Sequence, residues 1–428
     1  MNTLDQIAAQ LQGYDPRALP ADTVNAFLAR LVEPVDGTEE LPVMRTLGRV
    51  LARDLVSPLS VPPHDNSAMD GYAFDGAALR PGQALTLRCV GGALAGAPYH
   101  GAVAAGECVK ITTGALMPAG LDTVLPQEFA SVRGDAIDVP AGAVRAGDNR
   151  RLAGEDVRAG SAALARGQWL TPAAVGLAAS LGMASLPVMR RLRVAYFSTG
   201  DEILSLGEPP REGAVYDSNR YTVHGLLTRL GCEVIDLGVV RDEPALLRAA
   251  FERGAREADA IITSGGVSVG EADHTKAMMK ELGDVVFWRI AMRPGRPMAV
   301  GRIPPADGLG RPCVLFGLPG NPVAVMVTFL AFVRPALLAM MGAQPRPLPL
   351  LKAHSDEALR KKPGRTEYQR GIVSTAADGS LRVRTTGNQG SGVLSSMVQA
   401  NGLIVLHHPQ GNVAVGDPVD VMMFDGVV

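Results

Sequence analysis

Residues 258–276 read ADAIITSGGVSVGEADHTK, and this stretch predicts how the middle of the chain folds. An apolar, β-branched run at residues 260–263 is typical of a buried strand. Gly265 and Gly266 follow it, and glycine permits positive φ angles and the close approach of a ligand to backbone N–H groups. A helix is predicted to begin near Asp273. A strand, a glycine turn and a helix N-terminus together favour anion binding, because unpaired N–H groups and the helix dipole point the same way.

Two carboxylates beside this turn raise an electrostatic problem. Glu271 and Asp273 fall in the first turn of the predicted helix, where they would repel a bound phosphate. A divalent cation or a cationic side chain placed between them and the anion removes that repulsion. The stretch therefore predicts an anion site in which a bound cation or a basic side chain from another part of the chain supplies the positive charge.

The bulk properties exclude several classes of protein. The 428 residues suffice for about three domains, and the net charge of −2 excludes a general electrostatic affinity for nucleic acid. The four cysteines are widely spaced and form no C-x-x-C pair, which predicts a reducing compartment. Residues 1–15 show no secretory signal, and Arg334-Pro335 interrupts the apolar run at residues 323–341, so we expect a cytoplasmic protein without a membrane span.

Residues 190–341 alternate between predicted strands and helices, which indicates an open, parallel α/β sheet. Three loops, TGDE, SGGVS and LPGN, follow strands of this sheet and should meet at the edge where ligands bind. Each loop alone is better explained by a tight turn that needs glycine, but the three together favour a binding site. Their candidate substrate-binding residues are Thr199, Gly200, Asp201, Ser264, Gly265, Gly266, Ser268, Pro319, Gly320 and Asn321.

The flanking segments have a different texture, so the predicted fold class is α/β plus β in an elongated, multidomain chain. Residues 1–62 and 149–189 are predicted to form one discontinuous helical domain, with helices over residues 23–31, 45–55 and 171–181. Residues 63–148 carry short strands between glycine and proline turns and predict a small inserted β domain. Residues 342–428 predict a C-terminal β barrel.

Acidic and basic side chains are expected beside the three loops. Glu202, Asp201, Asp242 and Asp273 should approach the same sheet edge, and Mg²⁺ commonly takes one or two protein carboxylates together with phosphate oxygens. The alternatives are that Asp242 caps the helix predicted from Glu243 and that Asp273 complements a helix dipole. The candidate cations for an oxyanion are Arg289, Arg293 and Arg296.

Three more polar segments lie outside the α/β unit. Asp70 falls in the loop PPHDNSAMDGY, which a connector rich in Asx-turns would also explain. Thr113 follows a predicted strand, as in any strand-to-turn exit. Arg151 and Asp156 lie in RRLAGEDV, which is either a phosphate clamp or a solvated salt-bridge loop. The sequence contains no P-loop, dinucleotide-binding, H-E-x-x-H or G-x-S-x-G motif.

Seven motifs, in order along the chain, resemble the MoeA/gephyrin E-domain family of molybdopterin molybdenumtransferases. They are DNSAMDGYA, ITTGA, FSTGDE, YDSNR, SGGVSVGEADHTK, RPGRP and GLPGNP, which together extend over residues 65–322. The resemblance runs on from the first helices to the predicted barrel, and seven ordered motifs are highly specific.

The resemblance implies an elongated homodimer of four-domain subunits, in which residues 1–62 and 149–189 serve dimerisation. It implies that adenylylated molybdopterin binds the α/β domain, that a divalent cation such as Mg²⁺ supports release of AMP, and that molybdate enters the dithiolene. A molybdopterin adenylyltransferase would act upstream. Neither nucleic acid nor membrane is an expected partner.

The resemblance also implies roles for single residues. Asp70 and Thr113 are expected to reach the partner subunit's site, and Glu202, Asp242 and Asp273 to be the essential carboxylates, the last two binding the metal. Arg151 and Asp156 match the loop that follows the inserted domain.

Three positions depart from the family pattern. Arginines stand where the family has a lysine pair, Ala324 where it often has serine, and Gly392 where it usually has histidine. Oxyanion contacts are therefore expected from Ser268 and Arg296.

Two other functions remain open from the sequence. A related α/β domain catalyses adenylylation of molybdopterin, but the flanking domains argue against that step. A non-catalytic interaction scaffold is the other alternative, and neither a further domain nor a long disordered linker supports it.

Overall fold

The computed structural model describes residues 3–267 and 274–424, and the chain up to residue 189 mixes short helices with short strands. The helices there are α1 (Leu4–Ala9), α2 (Ala21–Leu31) and α3 (Pro172–Ser180), with single 3-10 turns at Val43–Arg45, Gly76–Ala78 and Gln127–Phe129. The strands are β1 (Thr38–Pro42), β2 (Leu55–Val56), β3 (Asn66–Ser67), β4 (Gly71–Phe74), β5 (Leu85–Ala93), β6 (Glu107–Ile111), β7 (Thr123–Pro126), β8 (Ser131–Arg133), β9 (Ala136–Val139), β10 (Arg150–Arg151), β11 (Ala162–Leu164) and β12 (Ser185–Met189).

The helix predicted over residues 45–55 is wrong. Gly48 has a φ of 70°, a left-handed conformation that does not continue an α-helix. Val50 and Leu51 instead form isolated antiparallel bridges with Trp169 and Val188. The apolar residues are at helical spacing, but long-range β contacts bury them. The helices predicted over residues 23–31 and 171–181 are confirmed as α2 and α3.

The β-rich insert is a six-stranded sheet in the order β7-β4-β6-β5-β9-β8. Its β5–β6 pair is parallel and its other pairs are antiparallel. The pairs β1–β12, β2–β11 and β3–β10 join the chain before the insert to the chain after it. The insert thus interrupts one unit, while the predicted domain boundaries themselves remain a prediction.

Residues 190–341 form the central α/β unit. Its strands are β13 (Arg193–Thr199), β14 (Ile203–Leu204), β15 (Val215–Tyr216), β16 (Glu233–Val240), β17 (Ala260–Ser264), β18 (Asp284–Arg289), β19 (Met292–Arg293), β20 (Pro297–Ile303) and β21 (Cys313–Leu318). Its helices are α4 (Ser218–Arg229), α5 (Pro244–Glu257), α6 (His274–Leu282), α7 (Pro322–Thr328) and α8 (Arg334–Met340), with a π-helical segment at Phe329–Val333.

The central sheet has the order β16-β13-β17-β21-β20-β18 and is mixed, where the sequence predicted a parallel one. The first four strands are parallel, and β20 is antiparallel to both of its neighbours. The short loop between β18 and β20 explains the reversal, because a parallel pair needs a crossover of a dozen or more residues. The end of β18 still lies at the edge where β13, β17 and β21 end.

Side chains of β13 alternate between two apolar cores on opposite faces of the sheet. Val194 and Tyr196 face one core, and Ala195 and Phe197 face the other. Helices therefore cover both faces. Of the described helices, the continuous run Pro322–Met340 is long and apolar enough to span a bilayer, yet 83% of it is buried inside the protein. It is the central core helix of the first face.

Helices α1 and α2 pack on the first face of the central unit, since their apolar residues join its core. Arginines attach the end of α2 and the segment after it to the opposite sheet edge: Arg302 donates to the Leu31 carbonyl and Arg311 pairs with Asp36 at 2.9 Å. Arg190 forms two hydrogen bonds to Asp259, of 2.7 and 2.8 Å. The start of the chain is thus held against the sheet.

The C-terminal segment forms a closed barrel, as predicted. Its elements are β22 (Leu350–Ser355), β23 (Thr366–Thr375), β24 (Leu381–Thr385), α9 (Ser395–Gln399), β25 (Gly402–Leu406) and β26 (Pro418–Met423). Pairing of β23 with both β24 and β25 closes the ring. Strand β19 of the central unit pairs with β23, so the barrel is attached beside the RPGRP loop.

Candidate functional site

The three glycine turns that follow β13, β17 and β21 contact one another. Gly265 has a φ of 93°, and a Cβ there would lie 2.3 Å from the Thr199 carbonyl oxygen. The Gly265 N–H donates to the Leu318 carbonyl at 3.2 Å, and the Cβ position of Gly320 lies 3.9 Å from the Gly265 Cα. The structure therefore brings Thr199, Gly265 and Gly320 to one rim, which we call the glycine rim.

Backbone atoms make up most of this rim, because the hydroxyl of Ser264 is buried beneath it. Ser264 bonds to the Tyr196 hydroxyl at 2.6 Å and to the Ser198 hydroxyl at 3.2 Å. Burial raises the pKa of Tyr196 far above its usual value, so this hydroxyl group stays protonated. Thr199 is 4% exposed and its hydroxyl has no hydrogen-bond partner among the described residues.

Asp242 lies beside the start of α6. Its Oδ1 accepts a hydrogen bond of 3.2 Å from the Thr275 hydroxyl, and a Cβ on Gly266 would lie 2.5 Å from the Thr275 Cβ. Asp242 is therefore next to the glycine rim. The alternative that it caps α5 is wrong, because Glu243 occupies the N-cap position and no side chain caps that helix.

The TGDE turn folds back over its own glycine. Gly200 has a φ of 144°, and a Cβ there would lie 2.6 Å from a carboxylate oxygen of Glu202. Glu202 is exposed and its backbone carbonyl accepts from the Val215 N–H at 2.9 Å. Asp201 is exposed as well, and its carbonyl accepts a hydrogen bond from Arg211. The Glu202 carboxylate therefore lies against Gly200, beside the rim.

The LPGN turn is supported by residues that sequence reasoning missed. The Asn219 side chain donates to the Gly320 carbonyl at 2.7 Å. Asp217 is 4% exposed and caps α4, and its Oδ2 has no partner among the described residues. Asn321 caps α7 without a side-chain bond, and Pro319 lies between Leu318 and Gly320. The YDSNR motif was the available signal for Asp217 and Asn219.

The candidate arginines Arg289, Arg293 and Arg296 are exposed at the carboxyl end of β18 and in the loop after it. A fourth arginine, Arg370 of the barrel, is 1% exposed and donates to the Ser396 hydroxyl at 2.9 Å. Burial, and secondarily the charge of Arg293, lower the pKa of Arg370 to about 10. Nothing in the sequence near Arg370 predicted that it would lie near Arg293.

A second cluster of predicted site residues lies in the inserted unit and in the segment that follows it. Asp70 accepts hydrogen bonds from the Thr113 N–H at 2.6 Å and from the Thr113 hydroxyl at 2.8 Å. These bonds lower the pKa of Asp70. Arg151 pairs with Glu155 at 2.5 Å, as the salt-bridge alternative predicts, and Asp156 is exposed.

The second cluster and the glycine rim share no hydrogen bond within the described part of the chain. All hydrogen bonds that the structure gives Asp70, Thr113, Arg151 and Asp156 stay within residues 61–156. Strand pairing of β3 with β10 nevertheless holds the loops of Asp70 and Arg151 next to each other. The predicted site residues thus form two groups.

Two predicted residues, Ser268 and Asp273, lie outside the described residues. Within residues 3–267 and 274–424, no group of three or more His, Cys, Asp or Glu is arranged to bind a metal. Asp242 is the described carboxylate among the two predicted metal ligands.

Comparison with known families covers most of the chain. The MoeA N-terminal region (domain I and II) matches residues 19–182. A probable molybdopterin binding domain matches residues 195–339. The MoeA C-terminal region (domain IV) matches residues 352–424.

Relatives match at nearly full length. A molybdopterin molybdenumtransferase of Haemophilus influenzae is 41% identical, over 91% of this chain and 94% of its own. One from Synechococcus elongatus is 35% identical, over 93% and 97%. The crystal structure of the molybdopterin biosynthesis moeA protein of Pyrococcus horikoshii OT3 has a TM-score of 0.78 and 27% identity, covering 95% of this chain and 100% of its own.

Proposed function

The chain belongs to the MoeA family and is a transferase that inserts molybdenum in molybdenum cofactor biosynthesis, and we propose that it uses adenylylated molybdopterin and releases AMP. The contact of the three glycine turns carries this proposal. Glycine turns at the carboxyl ends of parallel strands suit a phosphate-bearing ligand, because no side chain blocks its approach to the backbone. In this proposal the ligand binds along Thr199, Gly200, Asp201, Ser264, Gly265, Gly266, Pro319, Gly320 and Asn321.

Molybdate is the second substrate in the proposal. It is a doubly charged oxyanion, and guanidinium groups bind such anions with paired hydrogen bonds. In this proposal Arg289, Arg293 and Arg296 supply positive charge for the anion, and Ser268 contributes a hydroxyl donor. Since Ala324 has no hydroxyl, the RPGRP loop takes a larger share of the binding.

We propose that Asp242 and Asp273 bind a divalent cation, Mg²⁺ or a similar ion. Asp242 fits this role, because Thr275 engages Oδ1 and thereby orients the carboxylate. When bound, the ion supplies positive charge that offsets the charge of the phosphoanhydride. In this proposal the exposed Glu202 holds a water or a proton beside the ligand.

The second group of residues acts, in this proposal, from the partner subunit of a homodimer. Asp70, Thr113, Arg151 and Asp156 form one exposed cluster that makes no hydrogen bond to the rim of its own chain. A dimer that places this cluster over the partner's rim would complete both sites. Four domains per subunit with the boundaries given above, a cytoplasmic location and an upstream adenylyltransferase belong to the same proposal.

Incubation with adenylylated molybdopterin, Mg²⁺ and molybdate tests the function. We expect AMP release that requires molybdate, and its loss in Asp242→Asn but not in the control Asp378→Asn, which changes an exposed barrel loop. Binding without turnover would indicate a scaffold. ATP consumption with unadenylylated molybdopterin would indicate the preceding adenylylation step. Either of these last outcomes refutes the proposal.

A further inference from the structure

Two cysteines that are distant in the sequence are neighbours in the inserted sheet. Cys89 of β5 and Cys108 of β6 are register partners in the parallel pair of strands. Both belong to the same apolar cluster, beside Leu87 and Tyr72, so both side chains point to one face. Adjacent strands lie roughly 4.8 Å apart, and a disulfide needs a Cα–Cα distance of about 4.4–6.8 Å. The sheet therefore holds the two thiols within bonding reach.

The two thiols interact with each other and differ in access. Both are free cysteines, Cys89 partly exposed and Cys108 fully buried. Burial raises the pKa of Cys108 to about 12, and the nearby Cys89 thiol adds to the effect. Cys89 also donates to the Gly91 carbonyl at 3.5 Å. A small oxidant therefore reaches Cys89 first, and Cys108 is the second thiol, available to react with oxidised Cys89.

The other two cysteines have no such neighbour. Cys313 of β21 pairs in register with Ile303, and Cys232 lies before β16, buried against the first core. Their isolation provides controls that carry the same functional group in the same chain. The register of β5 and β6 brings Cys89 and Cys108 together, and the spacing of the cysteines in the sequence does not predict this.

We propose that Cys89 and Cys108 form a reversible disulfide when the protein meets a hydroperoxide. The Cys89 sulfur attacks the peroxide, the O–O bond breaks, and Cys89 becomes a sulfenic acid while water leaves. The Cys108 sulfur then attacks the Cys89 sulfur, the S–S bond forms, and the hydroxyl group leaves as water. The two thiols lose two electrons and two protons in total, and hydrogen peroxide is reduced to two waters.

The disulfide would link strands β5 and β6 of one sheet covalently. It closes the loop of residues 90–107, which lowers the entropy of the unfolded chain. Strand β6 ends two residues before Thr113, so the stapled strand leads into the loop that holds Asp70. A small dithiol such as dithiothreitol reverses the bond by exchange. None of these steps depends on the activity proposed above.

Peptide mapping after peroxide treatment tests the proposal. The full chain is treated with hydrogen peroxide, unfolded in iodoacetamide and digested. We expect a cross-linked peptide containing Cys89 and Cys108, its loss on dithiothreitol treatment, and a higher urea midpoint for the oxidised protein. Cys89→Ser should abolish the cross-link, and the control Cys232→Ser should retain it.

A second probe keeps the test independent of oxidation. Phenylarsine oxide bridges two adjacent thiols, so native wild-type protein should bind one equivalent and Cys89→Ser none. The proposal is overturned if all four cysteines of peroxide-treated protein still alkylate, or if Cys89 is oxidised to the sulfinic acid without a cross-link. Failure of wild type to bind the arsenical above the level of Cys89→Ser would overturn it as well.

Discussion

The buried hydroxyl of Thr275 donates to the carboxylate of Asp242, with an Oγ1–Oδ1 distance of 3.2 Å. Thr275 is the second residue of α6 and is fully buried, and Gly266 of the preceding turn packs against its side chain. One residue thus couples the glycine turn, the helix start and the acid that follows β16. The hydrogen bond from Thr275 orients the Asp242 carboxylate.

Asp242→Asn keeps an oxygen that accepts the Thr275 hydrogen bond but removes the charge. We therefore expect an unchanged fold and a loss of AMP release of about 100-fold or more, the size of effect seen when one charge-stabilising group is removed. The same loss is expected for Asp273→Ala. Rates of AMP release, with melting curves as the control for folding, check both. Wild-type turnover in both variants would refute the metal assignment.

A site shared between subunits predicts complementation. Asp70→Ala and Asp242→Ala are each expected to be inactive alone. Mixed dimers that contain one chain of each kind restore one intact site, because one site then has both groups. Up to about a quarter of wild-type activity should return, as random mixing makes half of the dimers mixed. A mixture as inactive as its parents would contradict the composite site.

Thr113→Val tests the electrostatics of Asp70. The Thr113 N–H and hydroxyl lower the pKa of Asp70 below 3.8, and valine removes only the hydroxyl. The pKa should therefore rise part of the way toward 3.8 in the variant, as carboxyl-carbon NMR titration would show.

The sign for stability follows from the same shift. Because the folded pKa is depressed, the contribution of Asp70 is present above the unfolded pKa and is lost as pH falls through the folded pKa. The stability gap between wild type and Thr113→Val should therefore shrink on acidification over that range. An identical titration midpoint in both proteins would show that the hydroxyl bond does not operate in solution.

Gly265→Ala should destabilise the rim. The new Cβ would meet the Thr199 carbonyl oxygen at 2.3 Å, at a φ of 93°. Backbone strain and the clash together should cost roughly 3 kcal/mol or more. Gly207→Ala is the matched control, because its φ is 91° and no atom lies within 4 Å of the Cβ position. It should cost only about 1–2 kcal/mol.

Urea denaturation of both glycine variants separates strain from contact. Equal losses of unfolding free energy in the two variants would mean that the close contact between residue 265 and Thr199 adds nothing to the cost of placing alanine at a positive φ.

Local patterns predicted the central unit well, because a strand such as Ala260–Ser264 begins with a β-branched apolar run, is buried throughout and is followed by two glycines. The direction of β20 could not be predicted in this way, since it depends on the length of a loop and not on residue type. The helix predicted over residues 45–55 was wrong for a related reason. Apolar residues at helical spacing can also be buried through β-bridges to residues far away in the sequence.

The predicted site was incomplete wherever a partner comes from far along the chain. Asn219 reaches Gly320, and Arg370 of the barrel lies near Arg293 of the central unit. No short-range pattern contains such pairs. Asp70 and Thr113 were found because their motifs were recognised, and their hydrogen bonds were revealed only by the pairing of β4 with β6.

The barrel holds the central unit at two places. Strand β23 pairs with β19 on one side of the RPGRP loop, and the Ser391 carbonyl accepts the Val323 N–H at 3.0 Å on the other. A rotation of the barrel would have to break main-chain bonds at both attachments. The barrel therefore fixes the position of the RPGRP loop. A chain that ends at residue 341 would lack both attachments, so the loop would lose this support although its own sequence is unchanged.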